Sequence, residues 1–362
     1  MKIIVYFDSM APAGGIERVI SSHIKYLAKS NDVILITNDD KPSFYELPIS
    51  INRDSLKLNY FLDMNYKFKR VFQVLFYFVI SIFKLRKKIK KIKPDLIYVA
   101  APINLFKIFF TNFSLNKVIL TEHASFVAYN RVYKMIVKIF YKKVMLLTVP
   151  TTDDSRFYKS LNIKNEYLPN PLSFYPGKQS NLNKKTILNV GRLTQDKRHD
   201  LLIEICSKSL MKKLGWKLKI IGEGECENGL EKLISKLELC STIEILKNTK
   251  EIENEFLNSS IFCFTSIAEG FGLVLAESMA CGVPCISFNC PSGPKDIITN
   301  NKNGYLIDEG DINTYVKKLD SLLLNLDLRK QLGGKARLDI KKFDEQTIGK
   351  TLITLIEKYH TN

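Results

Sequence analysis

The sequence predicts an α/β protein of two doubly wound, Rossmann-like domains facing each other across a cleft. Three observations carry that expectation. Short apolar runs alternate with helical patterns along the chain, as in parallel sheets covered on both faces. A proline-rich break, Leu168-Pro169-Asn170-Pro171 followed by Pro176-Gly177, divides the alternation into two series. At 362 residues the chain is also too long for one small core. The expected bounds are 1–170 for a first domain and 171–345 for a second. A final helix, 346–362, is expected to pack back toward the first domain.

Apolar residues make up 46% of the chain, the composition of a soluble globular protein. The net charge of +17 is uneven. Residues 1–170 hold 27 Lys and Arg against 13 Asp and Glu, whereas residues 171–362 hold 27 against 24. A basic first half suits an anionic partner: nucleic acid, phospholipid headgroups or a phosphorylated substrate. Simple solubility is the plainer alternative. All seven cysteines fall in the second half, in an odd number and without a C-x-x-C pair. Reduced thiols in a cytosolic protein are expected, and no histidine accompanies Cys281 and Cys285 to form a zinc set. The first residues, Met1-Lys2-Ile3-Ile4-Val5-Tyr6-Phe7, form too short an apolar run for a signal peptide and read as a buried strand.

In the first half, strand Ile3–Phe7 leads to Gly14 and Gly15. A helical run, Ile16 to Lys29, follows with apolar positions at Ile16, Val19, Ile20, Ile24 and Leu27. Asp32–Thr37 is a second strand. A full G-x-G-x-x-G is missing. The two glycines either let a bound group approach the loop or make a simple tight turn. Residues 66–93 carry ten Lys and Arg, no acid and seven aromatics. Their apolar centre, Val71 to Phe83, is shorter than the ~20 residues needed to span a bilayer. The stretch reads as a helix lying on anionic lipid, as a buried connecting helix with a basic tail, or as both. Strands Leu96–Ala100 and Val118–Thr121 follow. His123 then stands on a carboxyl-end loop, where ligands of open α/β sheets bind. It could hydrogen-bond a substrate or leaving group, oriented by Glu122; satisfaction by loop backbone is the alternative. A second aromatic and basic stretch, 129–143, precedes strand Met145–Pro150.

In the second half, strand Thr186–Val190 ends in Gly191-Arg192-Leu193-Thr194-Gln195-Asp196-Lys197. Helix His199–Cys206, strand Leu218–Ile221 with its Gly222-Glu223-Gly224 turn, helix Glu231–Leu239, strand Ile243–Leu246 and helix Glu251–Leu257 continue the alternation. Strands Cys285–Phe288 and Gly304–Ile307 and helices Ile312–Leu324 and Asp344–Tyr359 complete it. Between them lies the stretch Ser266 to Pro284, SIAEGFGLVLAESMACGVP, the most informative in the chain. It reads as strand, glycine-flanked turn and helix, a geometry that sets free backbone N–H groups and a positive helix end against a phosphate. Glu269 stands at the mouth. Glu277 lies within the helix, a separation of roughly 8 Å at ~1.5 Å per residue, enough to span a diphosphate. Arg192 and Lys197, at the end of another strand, would face the same anion. An ordinary βα unit with surface charges is the plain reading of each residue taken singly. No D-x-D or His/Cys cluster suggests a required metal.

These residues resemble the GT-B glycosyltransferases of the large retaining family 4. The likeness covers nearly the whole chain and is strongest from Thr186 to Ile307. Its most specific mark is the E-x7-E element, Glu269 to Glu277 in EGFGLVLAE. GGIER at Gly14–Arg18, GRLTQDK at Gly191–Lys197, IIGEGE at Ile220–Glu225 and ACGVPCIS at Ala280–Ser287 support it. The resemblance implies transfer of a sugar from a nucleotide donor, with retention at the anomeric carbon and without metal or other cofactor. It implies that Arg192 and Lys197 hold the diphosphate and that the amides of Gly270, Phe271, Gly272 and Leu273 face phosphate and sugar. Glu277 would hold the ribose and Glu269 the sugar hydroxyls. Gly14, Gly15 and Gly222 would lie near the donor, and His123 near the transferred sugar. PSGPKDII, Pro291–Ile298, is similar to members that use UDP-sugars to build bacterial surface polysaccharides. The expected acceptor is lipid-linked or a growing surface glycan. Residues 66–93 and 129–143 would rest on the inner face of the cell membrane. A soluble cytosolic acceptor, or a GDP-mannose-type donor, is the alternative. Nucleic-acid binding would explain the charge but not Glu269, Glu277 and the glycines.

Overall fold

The computed structural model of the protein describes residues 1–58, 67–126 and 129–360. Tyr66, which begins the first basic stretch, and the last two residues of the final helix segment lie outside them. The chain forms two compact units. The first comprises residues 1–171 and 345–362, the second 172–344.

The first unit is a seven-stranded sheet. Its elements are β1 (Lys2–Phe7), α1 (Gly15–Leu27), β2 (Asp32–Thr37), β3 (Asn52–Ser55), α2 (Lys67–Ile92), β4 (Leu96–Ala100), α3 (Pro102–Phe110), β5 (Val118–Thr121), α4 (Arg131–Phe140), β6 (Leu146–Val149), α5 (Thr152–Ser160) and β7 (Asn165–Tyr167). All strand pairs are parallel, in the order β3-β2-β1-β4-β5-β6-β7. The β-branched and aromatic runs Ile3–Phe7 and Leu96–Ala100 are buried from both sides, as crossover helices on both faces demand. Ile4 and Tyr6 enter one core, Ile3, Val5 and Phe7 the other. Each fully buried aliphatic side chain contributes about 2 kcal/mol by area.

The second unit contains β8 (Thr186–Val190), α6 (His199–Lys208), β9 (Lys217–Ile221), α7 (Glu227–Lys236), β10 (Ile243–Leu246), α8 (Ile252–Leu257), β11 (Ile261–Phe264), α9 (Leu273–Ala280), β12 (Cys285–Phe288), α10 (Pro294–Ile297), β13 (Gly304–Ile307), α11 (Ile312–Leu324) and α12 (Leu326–Asp339). Its six strands are also parallel, ordered β10-β9-β8-β11-β12-β13. The chain then returns to the first unit as α13 (Glu345–His360). Ile348, Leu352 and Ile356 of α13 share a core with Ile20, Ile24 and Leu27 of α1.

Several elements escape the periodicity reading. β3 is the polar edge sequence Asn-Arg-Asp-Ser and is largely exposed. α3 is apolar almost all round, so it has no 3.6-residue stripe. α5 is announced by a cap instead: the Thr151 side chain accepts from the Asp154 amide, and acids fill its first turn. α12 follows α11 after a single residue, Asn325, whose side chain caps it by accepting from Leu328 N–H. The helix expected over Glu231–Leu239 starts a turn earlier, at Glu227.

The proline-rich break, expected as an interdomain linker running on through Lys178 to Lys185, is shorter than expected. Leu172 and Leu182 are buried in the second unit's core, and the Leu172 amide donates to the Phe343 carbonyl at 2.8 Å. Ser180 Oγ donates to the Ser259 carbonyl at 2.6 Å. Residues 172–185 are therefore strapped to the second sheet rather than strung between units.

Strand order changes direction once in each sheet. In the first unit β1 lies between β2 and β4, and in the second β8 lies between β9 and β11. Loops at the carboxyl ends of such switch strands diverge to opposite faces and leave a ligand-sized crevice.

Candidate active site

In the second unit the switch point brings together the loop after β8 and the loop after β11. Hydrogen bonds stitch them. The Ile267 amide donates to the Asp196 carbonyl at 2.8 Å, and the Thr265 hydroxyl donates to the Lys197 carbonyl at 3.0 Å. Arg198 Nε donates to the Thr265 carbonyl at 2.8 Å. Lys197 Nζ donates to Glu269 Oε1 at 2.5 Å. The last pair is largely shielded from water, with 17% and 13% of the two side chains exposed. His199 fixes the remaining cation-bearing turn: its Nε2 meets the Arg192 carbonyl at 2.9 Å. Burial holds the His199 imidazole below its usual pKa, which favours the neutral ring.

Arg192 itself is three-quarters exposed, and among the described residues its ion pair is with Asp196, at 3.9 Å. Its guanidinium is therefore available to a ligand at little cost. Asp196 is held below the usual carboxylate range by the Thr194 hydroxyl and the two cations, outweighing a burial effect in the other direction.

Gly270, Phe271, Gly272 and Leu273 head α9, and its N-cap residue, Gly272, has no side chain with which to cap it. Gly272 has φ +90°, a left-handed conformation that a side chain would strain. Phe271 turns its ring into the core, edge-on to Phe343 at 5.2 Å, so only its backbone faces outward. An α-helix N-terminus left uncapped in this way is an anion site. Gly222 answers a different need: a Cβ there would stand 1.9 Å from the Gly191 carbonyl oxygen. The turns after β8 and β9 can touch only because the residue is glycine.

Glu277 lies inside α9, 3% exposed, and its Oε1 accepts from Ser173 Oγ at 2.6 Å. Sequence reasoning passed over Ser173. Its signal was weak, a lone serine in a proline-rich segment.

In the first unit Gly14 caps α1 and Gly15 opens it. The Glu17 carboxylate lies over Gly14, in the space an approaching anion would use. Burial raises the Glu17 pKa, and Asp8 adds to the rise. Asp8 ends β1 at the switch point within a network that sequence reasoning missed. Lys107 Nζ, on a 5%-exposed residue of α3, donates to Asp8 Oδ1 at 3.2 Å, to Asn104 Oδ1 at 3.1 Å and to Tyr6 Oη at 3.3 Å. Asn38 Nδ2 donates to Asp8 Oδ1 at 2.6 Å. The residues come from three separate elements, so no spacing announces them.

His123 follows β5. Its Nε2 meets Thr121 Oγ1 at 3.2 Å, and its Nδ1 makes no hydrogen bond of full geometry. Burial lowers its pKa to about 4, offset in part by the Asn170 side chain, so the ring is neutral at pH 7. Glu122 does not orient the imidazole, contrary to expectation. Its carboxylate accepts from the Tyr129 hydroxyl, from the Tyr141 hydroxyl at 2.6 Å and from the Tyr158 hydroxyl at 3.4 Å. It also accepts from the His123 backbone N–H at 3.1 Å, so it positions the loop rather than the ring. Burial pushes the Glu122 carboxyl above its ordinary pKa.

The described residues contain no group of three or more His, Cys, Asp or Glu side chains placed to hold a metal ion. All seven cysteines are free thiols.

Two parallel, helix-covered sheets, the second with an anion-ready turn at its switch point, define a two-domain GT-B protein. Comparison with known proteins identifies its relatives. The family described as Glycosyltransferase Family 4 matches residues 13–172, and Glycosyl transferases group 1 matches residues 175–339. An uncharacterized glycosyltransferase of Haemophilus influenzae is 33% identical over 348 residues, covering 93% of this chain and 94% of its own length. The chain belongs to the group 1 glycosyltransferases of the GT-B fold. A Campylobacter jejuni α-1,4-N-acetyl-D-galactosaminyltransferase acting on a GalNAc-containing diphospho-undecaprenol glycan is 25% identical, with 98% of each chain covered. Among solved structures, a Staphylococcus aureus TarM mutant in complex with Fondaparinux, α-GlcNAc-glycerol and UDP superposes with a TM-score of 0.79 at 16% identity. It covers 98% of this chain and 99% of its own.

Proposed function

We propose that the protein is a retaining glycosyltransferase that moves a hexose or N-acetylhexosamine from a UDP-sugar to a lipid-linked or growing glycan acceptor. The observation that carries the donor assignment is the stitched switch point of the second unit. Lys197 bonds Glu269, the residue before the Gly270–Leu273 turn that heads α9, and exposed Arg192 lies 3.9 Å from Asp196 on the same stitched loop. Cations and aligned N–H groups are what a departing diphosphate needs. Glu269 would take sugar hydroxyls once Lys197 turns to phosphate. Glu277 would take the ribose diol, exchanging its bond from Ser173.

On this reading the bond from the anomeric carbon to the diphosphate oxygen breaks as the acceptor oxygen bonds to the same face. The acceptor proton passes to the departing diphosphate. Arg192, Lys197 and the α9 N-terminus supply the neutralising charge, so we propose that turnover needs no metal ion.

The acceptor assignment rests on the surface of the first unit. On α2, Phe72, Leu75, Phe76, Val79 and Phe83 are exposed, while Leu85 and Ile89 are buried. On α4, Val132, Met135 and Ile139 are exposed, while Ile136, Val137 and Phe140 are buried. Ring contacts Phe78–Phe106 at 5.9 Å and Phe106–Phe140 at 5.4 Å join α2, α3 and α4 into one face, which Phe109 and Phe110 extend. Exposed Lys138, Lys142 and Lys143 accompany it. No helix among the described residues is long and apolar enough to cross a membrane. Apolar side chains among lysines suit an anionic membrane surface, and the Campylobacter relative is named for a diphospho-undecaprenol acceptor. Nucleic acid would favour the lysines but not the exposed aliphatic row.

The test is purified protein with a panel of UDP- and GDP-sugars and an undecaprenyl-diphosphate glycan acceptor, with and without EDTA. Transfer from a UDP-sugar with an α-configured product, undiminished by EDTA, is the expected result. A β-configured product overturns retention. Transfer only from GDP-mannose, or only to water-soluble acceptors, overturns the corresponding assignment.

A further inference from the structure

The Asp8 carboxylate, at the end of β1, is held from three directions. Lys107 Nζ and Asn38 Nδ2 both donate to its Oδ1, at 3.2 and 2.6 Å, and Asn104 Nδ2 donates to its Oδ2 at 3.2 Å. An ammonium only donates and a carboxylate only accepts, so the bonds run one way. Tyr6 Oη accepts from Lys107 at 3.3 Å and donates to Asn38 Oδ1 at 2.8 Å, which turns the Asn38 NH₂ toward Asp8. Asn104 Oδ1 accepts from Lys107 at 3.1 Å, which turns its NH₂ the same way. Exposure of this group is lopsided. Lys107, Asn38, Asn104 and Tyr6 are each at most 5% exposed, yet 48% of the Asp8 side chain is open to water. A carboxylate offers about four lone-pair positions. Three are taken among the described residues, and the fourth, on Oδ2, is left for solvent or a ligand.

We infer that Asp8 binds a hydroxyl of the acceptor glycan at this open position, and that Lys107, Asn38 and Asn104 are the residues that position it. The inference rests on the proposed transfer of a sugar to a glycan acceptor.

Burying an ammonium to serve a half-exposed partner adds little stability. It does fix the direction of the open lone pair, which is what a binding site requires. The place agrees. Asp8, Asn38 and Asn104 follow β1, β2 and β4, and β1 and β4 flank the switch point of the first sheet, outside whose carboxyl ends ligands bind. Ala101, which joins β4 to α3, has φ +72° and ψ 145°, a conformation nearly reserved for glycine. Backbone strain of this kind collects at functional sites. The chemistry of the ligand follows from the atom left open. Oδ2 can only accept, so the ligand must donate. The negative charge disfavours a diphosphate, and Arg192 and Lys197 of the second unit already serve that group. Lys107 already neutralises Asp8, so a metal cation gains little there. A neutral polyol is what remains.

Tyr133 of α4 lies within reach of the Asp8 charge: burial first, and then Asp8, hold its phenol above the usual pKa. Its ring stacks on Tyr129 with centroids 5.5 Å apart. Aromatic surface beside a few fixed polar groups is the make-up of a small-ligand site. The same helix carries the exposed Val132, Met135 and Ile139. The hydroxyl site thus adjoins the helix that bears the apolar row, as suits a glycan on a lipid anchor.

The experiment measures initial rates with a UDP-sugar and a diphospho-undecaprenol glycan, together with monodeoxy analogues of the glycan's terminal sugar. Asp8→Asn keeps the shape of the side chain and one oxygen for Lys107 and Asn38. Its acceptor kcat/KM should fall by about tenfold or more, the worth of a hydroxyl bonded to a charged group, through acceptor KM and with donor KM unchanged. Removing one hydroxyl other than the reacting one should cost wild type a similar factor and Asp8→Asn nothing further. Asn38→Leu should raise acceptor KM by a smaller factor and leave donor KM alone, whereas a loss of fold moves both. Asp8→Asn with a wild-type acceptor KM overturns the inference, as does an equal rise in both KM values. So does wild type that uses every such deoxy analogue as well as the parent, a readout that needs no folded variant. Asn38→Leu with a wild-type acceptor KM removes the positioning role. Wild type that transfers to no glycan overturns the proposed function and this inference with it. Transfer by wild type with an indifferent Asp8→Asn overturns the inference alone.

Discussion

Lys197 Nζ bonds Glu269 Oε1 at 2.5 Å, although 72 residues separate them. A cation suited to diphosphate and an acid suited to sugar hydroxyls neutralise each other while the site waits for its donor. Neither charge is left uncompensated in a partly buried turn, which would be costly. On the proposed function, donor binding would exchange this pair for two others.

Removing either partner should therefore hurt twice. Lys197→Ala should lower kcat/KM by about 10²-fold or more, as loss of one oxyanion-stabilising donor does. Glu269→Ala should lower it by at least about tenfold, the worth of a hydrogen bond to a charged group. Each single variant should also lose about 1–3 kcal/mol of stability in the second unit, and the double variant less than the sum. A double-mutant cycle on urea midpoints and kcat/KM checks this; strict additivity of both readouts would count against the pair.

Arg192 offers the contrast. Its side chain is exposed and, among the described residues, pairs with Asp196 at 3.9 Å. Arg192→Ala should leave stability within about 0.5 kcal/mol of wild type, yet cost about 10²-fold in turnover. Thermal melts beside initial rates separate the two effects. Full activity in this variant would remove Arg192 from the site.

The buried histidines of the first unit make its stability depend on pH. His23 titrates at about 3 and His123 at about 4 in the folded protein, against an ordinary value of 6.5. Their folded pKa values are depressed, so the unfolded chain binds protons first as pH falls. The stabilisation is fully present above pH 6.5 and is lost as pH drops toward 4. Each ring should contribute a slope of up to about 1.4 kcal/mol per pH unit in that window. Glu122 opposes them, because its raised carboxyl pKa favours the folded state on the acid side. Urea midpoints of wild type and H123Q between pH 5 and 7.5 should show a shallower slope in the variant.

The exposed row on α4 should govern lipid binding. Lys138→Gln with Lys142→Gln should weaken binding to anionic vesicles by about 2 kcal/mol, ~30-fold, at about 1 kcal/mol per basic residue. Ile139→Ser should weaken binding to neutral and anionic vesicles alike, because it removes apolar insertion. Flotation on phosphatidylglycerol and phosphatidylcholine vesicles distinguishes the two, and wild-type protein that floats with neither would dismiss the membrane reading.

Much of the architecture was legible because its signals are contiguous. Strands such as Leu96–Ala100, Val118–Thr121 and Cys285–Phe288 are short, fully buried runs that suit a helix-covered parallel sheet. The turn at Gly270–Leu273 was legible for the same reason, since glycines, acid and helix follow one another within a dozen residues. What escaped lacks a local signal. β3 is polar because an edge strand buries little, and α3 lacks a polar face because it packs on α2, α4 and the sheet and leaves Phe109 and Phe110 in the exposed apolar surface. Glu122 was misread because its nearest ring in sequence, His123, is not its nearest donor in space. Tyr129, Tyr141 and Tyr158 reach it from later turns and helices.

The sequence by itself determined the two βα series, the break near Pro171 and the glycine-flanked form of the turn before α9. Backbone chemistry and hydrophobic periodicity act over a few residues, and those are written in order. Only the tertiary structure decided which charges meet. The switch of strand order at β8 and β11 sets Lys197 against Glu269, and the pairing of β4 with β5 sets Tyr98 against Thr121. Such partners lie tens of residues apart. Hydrogen bonds and ion pairs are short-ranged, so their identity follows from strand order and not from spacing along the chain.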